Sequence, residues 1–91
     1  MFYEILLNGV RVGVYGHPQV KNMHLSVTVT DDGPEIFASG VCAEGGDLYM
    51  YNWLQQLVSN DDVVTIRQTS DTNASPPQTK YRMQPRSGDK P

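Results

Sequence analysis

The sequence has one cysteine and one tryptophan in 91 residues. A single thiol, Cys42, cannot close an intramolecular disulfide, so no disulfide framework stiffens the chain, which suits a reducing compartment. No apolar run approaches the roughly 18 residues that span a bilayer. The start, Met1-Phe2-Tyr3-Glu4-Ile5, has no basic stretch before its apolar residues and is interrupted by Glu4, so it does not read as a signal peptide. A cytoplasmic protein away from the membrane is expected. Positive charge is scarce along most of the chain. Residues 1–71 hold Arg11, Lys21 and Arg67 against nine carboxylates, a net −6, whereas residues 72–91 hold Lys80, Arg82, Arg86 and Lys90 against Asp89, a net +3. Such an acidic body repels phosphate backbones and attracts basic surfaces.

Signatures of chemistry are equally sparse. His17, His24, Cys42 and Asp47 are the candidate metal ligands, but no two stand at helical i, i+4 spacing and there is no C-x₂-C pair, so neither a metal nor another cofactor is expected. Cys42 as a nucleophile needs a base and an electropositive setting, and its sequence neighbourhood is acidic. Asp31-Asp32 and Asp61-Asp62 are adjacent carboxylates beside turns or strand starts, where solvated Asp is common, and neighbouring strand residues point to opposite faces. No Gly-Lys-Ser/Thr follows Gly45-Gly46, which excludes a P-loop. A non-enzyme is expected. Asn73-Ala74-Ser75 matches a glycosylation pattern that a cytoplasmic protein would not use. Tyr81 with Arg82 and Arg86 offers stacking and phosphate contacts. Four tail cations on a −6 body nevertheless disfavour nucleic acid, and the tail can instead fold back on that body.

What is present is a folding pattern. Val, Leu, Ile and Phe number 21 of 91, above the roughly one-fifth below which charged chains stay disordered. Asn8-Gly9 is a type I′ hairpin dipeptide. A two-residue loop there sets Leu7 against Val10, Ile5 against Val12 and Tyr3 against Val14 on one face, with Phe2, Leu6 and Tyr15 on the other, over strands at about 2–8 and 9–15. His24–Thr30 alternates, with Leu25, Val27 and Val29 inward. Asp31-Asp32-Gly33-Pro34 is a turn. Residues 35–43 form a fourth strand that breaks near Gly40, at a bulge or a close backbone approach. After Glu44-Gly45-Gly46, Asp47 offers an N-cap, and Met50, Trp53, Leu54 and Leu57 recur at i, i+3, i+4 and i+7. That spacing predicts a helix over 48–59 ending at Ser59-Asn60. Val63–Arg67 forms a last strand. The expected fold is therefore α+β, in the order β-β-β-β-α-β, with one helix on one face of a largely antiparallel sheet of about five strands. Residues 1–71 form the domain, and residues 72–91 form a basic, proline-containing, partly disordered tail.

Tyr3-Glu4-Ile5-Leu6-Leu7-Asn8-Gly9, Trp53-Leu54, Val64-Thr65-Ile66-Arg67, and Pro76-Pro77 ahead of Tyr81-Arg82 together resemble a loose set of small uncharacterised bacterial proteins. The resemblance covers most of residues 3–82. Cys42-Ala43 departs from a glycine-rich turn of that set. The motifs are structural, so the resemblance implies a bacterial origin and no activity.

Two contact surfaces are expected. One is an apolar sheet face of Phe2, Leu6 and Tyr15. The other is an acidic surface of Asp31, Asp32, Glu35, Glu44, Asp61 and Asp62. They suggest a protein-binding module for a partner with a basic surface, in its sharpest form an immunity or inhibitor protein against a nucleic-acid-acting toxin. A homodimeric structural or adaptor protein is the alternative. A small enzyme using His17, His24 or Cys42 with a carboxylate ranks behind both.

Overall fold

Asn8 and Gly9 take positive φ, 52° and 82°, as a type I′ turn requires. They reverse the chain between β1 (Phe2–Leu7) and β2 (Val10–Gly16). The computed structural model describes residues 1–83. The hairpin departs from the simple ladder after two pairs. Leu7 opposes Val10 and Leu6 opposes Arg11, but a bulge then sets Ile5 against Gly13, Glu4 against Val14 and Tyr3 against Tyr15. Val12 is the extra residue. The bulge shifts β2 by one place, so Tyr15 joins the face of Tyr3 and Ile5 rather than that of Phe2 and Leu6. Tyr15 is buried at 2% exposure.

The expected α+β class is corrected to all-β. Seven strands form two antiparallel sheets, and the described residues contain no helix. After the hairpin come β3 (Val20–Thr30), β4 (Gly33–Glu44), β5 (Asp47–Leu57), β6 (Val64–Gln68) and β7 (Thr79–Arg82). One sheet has the order β2-β1-β6 and the other β3-β4-β5-β7. The helix expected over 48–59 is β5. Gly45 and Gly46 both have positive φ, 56° and 88°, and close a hairpin in which Glu44 opposes Asp47. Asp47 is thus the first residue of a strand and not a helix cap.

The helical spacing in β5 has a different cause. Ala38 opposes Leu54 while Ser39 opposes Asn52, leaving Trp53 as an extra residue. A bulge switches which alternate residues face inward. Tyr49 and Tyr51 face the core before it, and Leu54 after it, so the sequence neighbours Trp53 and Leu54 are both buried. The expected irregularity near Gly40 belongs to the same place. A Cβ on Gly40 would stand 2.6 Å from the Asn22 carbonyl oxygen and 3.0 Å from the Trp53 ring, so the backbone approach requires glycine.

The inner faces of the two sheets enclose one core. Ile5 and Tyr15 from the first sheet meet Ile36, Ala38, Cys42, Tyr51, Trp53 and Leu54 from the second. The Tyr15 and Trp53 rings lie 6.4 Å apart, and those of Tyr51 and Trp53 lie 5.4 Å apart. Leu25 packs against this cluster. Val27 and Val29 share its face but run past the core, 47% and 82% exposed.

The boundary expected at residues 71/72 falls inside a strap between the sheets. The Thr69 amide donates to the Phe2 carbonyl, the Ser75 amide to the Val14 carbonyl, and the Gln78 amide to the Asn52 carbonyl. Thr79–Arg82 then adds β7 beside Tyr49–Asn52. Arg86, Asp89 and Lys90 lie outside the described residues. No helix among the described residues is long and apolar enough to cross a membrane.

Candidate functional site

The strands run lengthwise between two ends of the sandwich, and side-chain charge is sorted between them. At one end stand the tip of the β1–β2 hairpin, the Asp31-Asp32 turn of the β3–β4 hairpin, and the loop from β5 to β6. Their proximity follows from hydrogen bonds. The Val58 amide donates to the Pro34 carbonyl, which starts the β5–β6 loop beside the foot of β4. The Asn8 amide donates to the Val63 carbonyl at 2.8 Å, and the Val63 amide returns a bond to Asn8 Oδ1 at 2.9 Å. Asn8 Nδ2 donates to Asp62 Oδ1 at 2.8 Å, and the Ser59 amide donates to Asp62 Oδ2 at 2.7 Å. Those bonds, Asn8's first, hold the Asp62 carboxyl below its ordinary value. Asn8 therefore shapes its own turn and also staples it to the neighbouring loop.

This arrangement gathers five of the six expected acidic residues: Asp31, Asp32, Glu35, Asp61 and Asp62. Among the described residues, which hold nine carboxylates and five cations, none of the five is in an ion pair. Four of the cations are engaged elsewhere. Arg11 and Arg67 bind Glu4, Arg11 also binds Asp71, Lys80 binds Glu44 at 2.9 Å, and Arg82 approaches Asp47 at 3.7 Å. The remaining cation, Lys21, starts β3 at the opposite end. Exposed apolar side chains accompany the unpaired carboxylates: Val10 at 70%, Val29, Val63 and Leu57. The sixth expected acid, Glu44, lies at the far end and is neutralised by Lys80.

The apolar set separates. Phe2 and Leu6 are half-buried on the outer face of the first sheet, while Tyr15 is in the core. Between Phe2 and Leu6 lies Glu4, whose side chain is 8% exposed. Its carboxylate accepts from Arg67 Nε and from Arg11 Nε. The bond from Arg67, opposed by burial and supported by Arg11, holds Glu4 below its ordinary value. Sequence reading missed this ion cluster, for which the one available signal was a lone Glu inside an apolar strand.

The far end carries His17, Glu44 and Lys80 beside the rings of Tyr49 and Tyr51. His17 Nδ1 accepts from the Gln19 amide at 2.9 Å, its Nε2 stands 3.8 Å from Glu44, and its ring meets Tyr51 edge-on at 5.5 Å. The Lys80 ammonium lies 5.0 Å from the Tyr49 ring centre and 5.2 Å from that of Tyr51. An open cleft of about 720 Å³ lies beside them, lined by Phe2, His17, Tyr51, Trp53, Pro76 and Pro77, among others. The imidazole lone pair is occupied by a backbone amide, and Cys42 is fully buried. Burial, then the nearby Glu44, push the Cys42 thiol up. His24 is exposed on β3. Among the described residues, no three His, Cys, Asp or Glu side chains gather as a metal site.

Comparison with protein-family models, with curated proteins and with solved structures finds no match for this chain.

Proposed function

We propose that this is a non-enzymatic protein-binding module of a bacterial cytoplasm that meets a basic partner through its acidic end. The observation that carries the reading is the sorting of charge: five carboxylates with no cationic partner among the described residues share one end with exposed Val10, Val29, Leu57 and Val63. Carboxylates among exposed apolar side chains steer a basic surface towards them and leave apolar area for it to cover. An inhibitor covering the phosphate-binding cleft of a nucleic-acid-acting toxin is the sharpest form. Of the four tail cations that would greet a nucleic acid, the two among the described residues, Lys80 and Arg82, face Glu44 and Asp47.

A second reading, a homodimer, has its own support on the outer face of the four-stranded sheet. Val41, Met50 and Tyr81 form one cross-strand apolar row, and Ala43 and Leu48 begin another. Leu48 and Tyr81 are 44% and 56% exposed.

One experiment separates the readings. Wild type and an Asp31→Asn/Asp32→Asn/Asp61→Asn variant are used to capture proteins from the native cell at low salt. A basic protein retained by wild type, released by high salt and lost from the variant is the expected result. Identical captures by both proteins would overturn the reading. A dimeric sedimentation mass that Leu48→Glu restores to monomer would favour the second reading.

A further inference from the structure

β5 has eleven residues but β7 pairs with only four of them, Tyr49–Asn52. Beyond Asn52 no strand among the described residues pairs with this edge of β5. Hydrogen-bond alternation identifies the groups that face it. The Asn52 carbonyl points towards β7, where it accepts from Gln78, while the Val58 amide points the other way, to Pro34. The Trp53 bulge between them shifts the alternation by one. Gln55 and Leu57 therefore turn their amides and carbonyls outward, opposite no strand. Unpaired strand groups of this kind are a template for another chain.

Two further features select the occupant. Where β7 stops, a recess of about 180 Å³ opens between Phe37, Ser39, Leu54, Gln55 and Thr79, of a size for one apolar side chain. At the other end of the lane, Leu57 leads into the loop carrying Asp61 and Asp62, and Glu35 opposes Leu57 on β4. We propose that the open half of β5, Trp53–Leu57, receives an extended segment of the basic partner as an added antiparallel strand in line with β7. The proposal rests on the protein-binding reading and specifies its mode. An antiparallel strand here runs from the acidic end towards Thr79, as β7 continues from Thr79 towards Arg82. The segment thus carries its basic side chains first and an apolar side chain for the recess last.

The test uses a short synthetic peptide with lysines at its N-terminal end followed by alternating Thr and Val, ending in Leu. The expected result is slowed hydrogen exchange of the Gln55 and Leu57 amides on binding. A peptide N-methylated on the edge facing β5 should bind at least about tenfold more weakly. Leu57→Pro should do the same to the unmodified peptide and still fold, because proline is tolerated where a strand amide faces outward. Slowed exchange on β3 or β6 instead, or equal binding by the methylated peptide, would overturn the proposal. If methylation has no effect while Asp31→Asn/Asp32→Asn/Asp61→Asn abolishes binding, the strand mode falls and the acidic-end reading stands. If neither change matters, both fall.

Discussion

Glu4 sits in a strand next to Ile5, which is in the core, so its own side chain points to the outer face of the first sheet. It is nonetheless 8% exposed, with a guanidinium on each side. A carboxylate sheltered from water remains ionised only if its oxygens are met by donors, and Arg67 and Arg11 supply them from β6 and β2. The charge therefore joins three strands. Its lowered pKa fixes the sign of a pH effect. A carboxyl titrating lower in the folded state contributes stability that is fully present above its unfolded value, here near 4.5, and lost as pH falls through the folded value. Asp71 and Asp62 are lowered too and act in the same direction. Glu4→Gln should lower the melting temperature near neutral pH and flatten its decline between about pH 5 and pH 3 relative to wild type. Melting curves across that range check this; parallel acid limbs for both proteins would show that Glu4 does not contribute.

At the scale of elements, β5 shows how the sequence was both legible and misleading. Met50, Trp53, Leu54 and Leu57 fit a helical stripe, yet only Trp53 and Leu54 of the four are buried. Their adjacency arises from a bulge that turns both inward, and a bulge imitates helical spacing because it inserts one residue into a period of two. The contrary signals were local: Tyr49, Tyr51 and Trp53 alternate, and Gly45-Gly46 is itself a hairpin dipeptide. The Asn8-Gly9 turn was readable because both residues need positive φ. The register beyond it was not, because the Val12 bulge turns Tyr15 towards Trp53 of the other sheet, a contact between residues far apart in sequence. The turn acids were readable singly, whereas their gathering at one end depends on Asn8 bonds to residues more than fifty positions away. The bulge also makes a quantitative claim about its neighbour. Gly40→Ala would press a methyl on the Asn22 carbonyl and the Trp53 ring, costing about 1–3 kcal/mol. Ser39→Ala, beside it on the other face, should change stability by less than about 0.5 kcal/mol. Urea unfolding of the two variants decides the matter, and equal midpoints would mean that the Gly40 contact is not tight.

Across the whole molecule, 51 × 34 × 17 Å in extent, paired charge and unpaired charge answer salt in opposite ways. Screening weakens Lys80–Glu44 and Arg82–Asp47, but these pairs are exposed, and such pairs contribute about 0–1 kcal/mol each at most. The Glu4 cluster is sheltered and responds less. Against these stand Asp31, Asp32, Glu35, Asp61 and Asp62, which repel one another and are paired with no cation among the described residues. The Debye length falls from about 30 Å at 0.01 M salt to about 3 Å at 1 M, so added salt removes the repulsion between the turns while reaching the sheltered pair least. Sodium chloride should therefore raise the melting temperature near neutral pH. Asp31→Asn/Asp32→Asn/Asp61→Asn should raise it at low salt and leave a smaller further rise on adding salt, since three of the five repelling charges are already gone. A melting temperature that falls with salt in wild type would mean that the ion pairs outweigh the acidic end, and the charge sorting would then be a feature of stability before it is one of recognition.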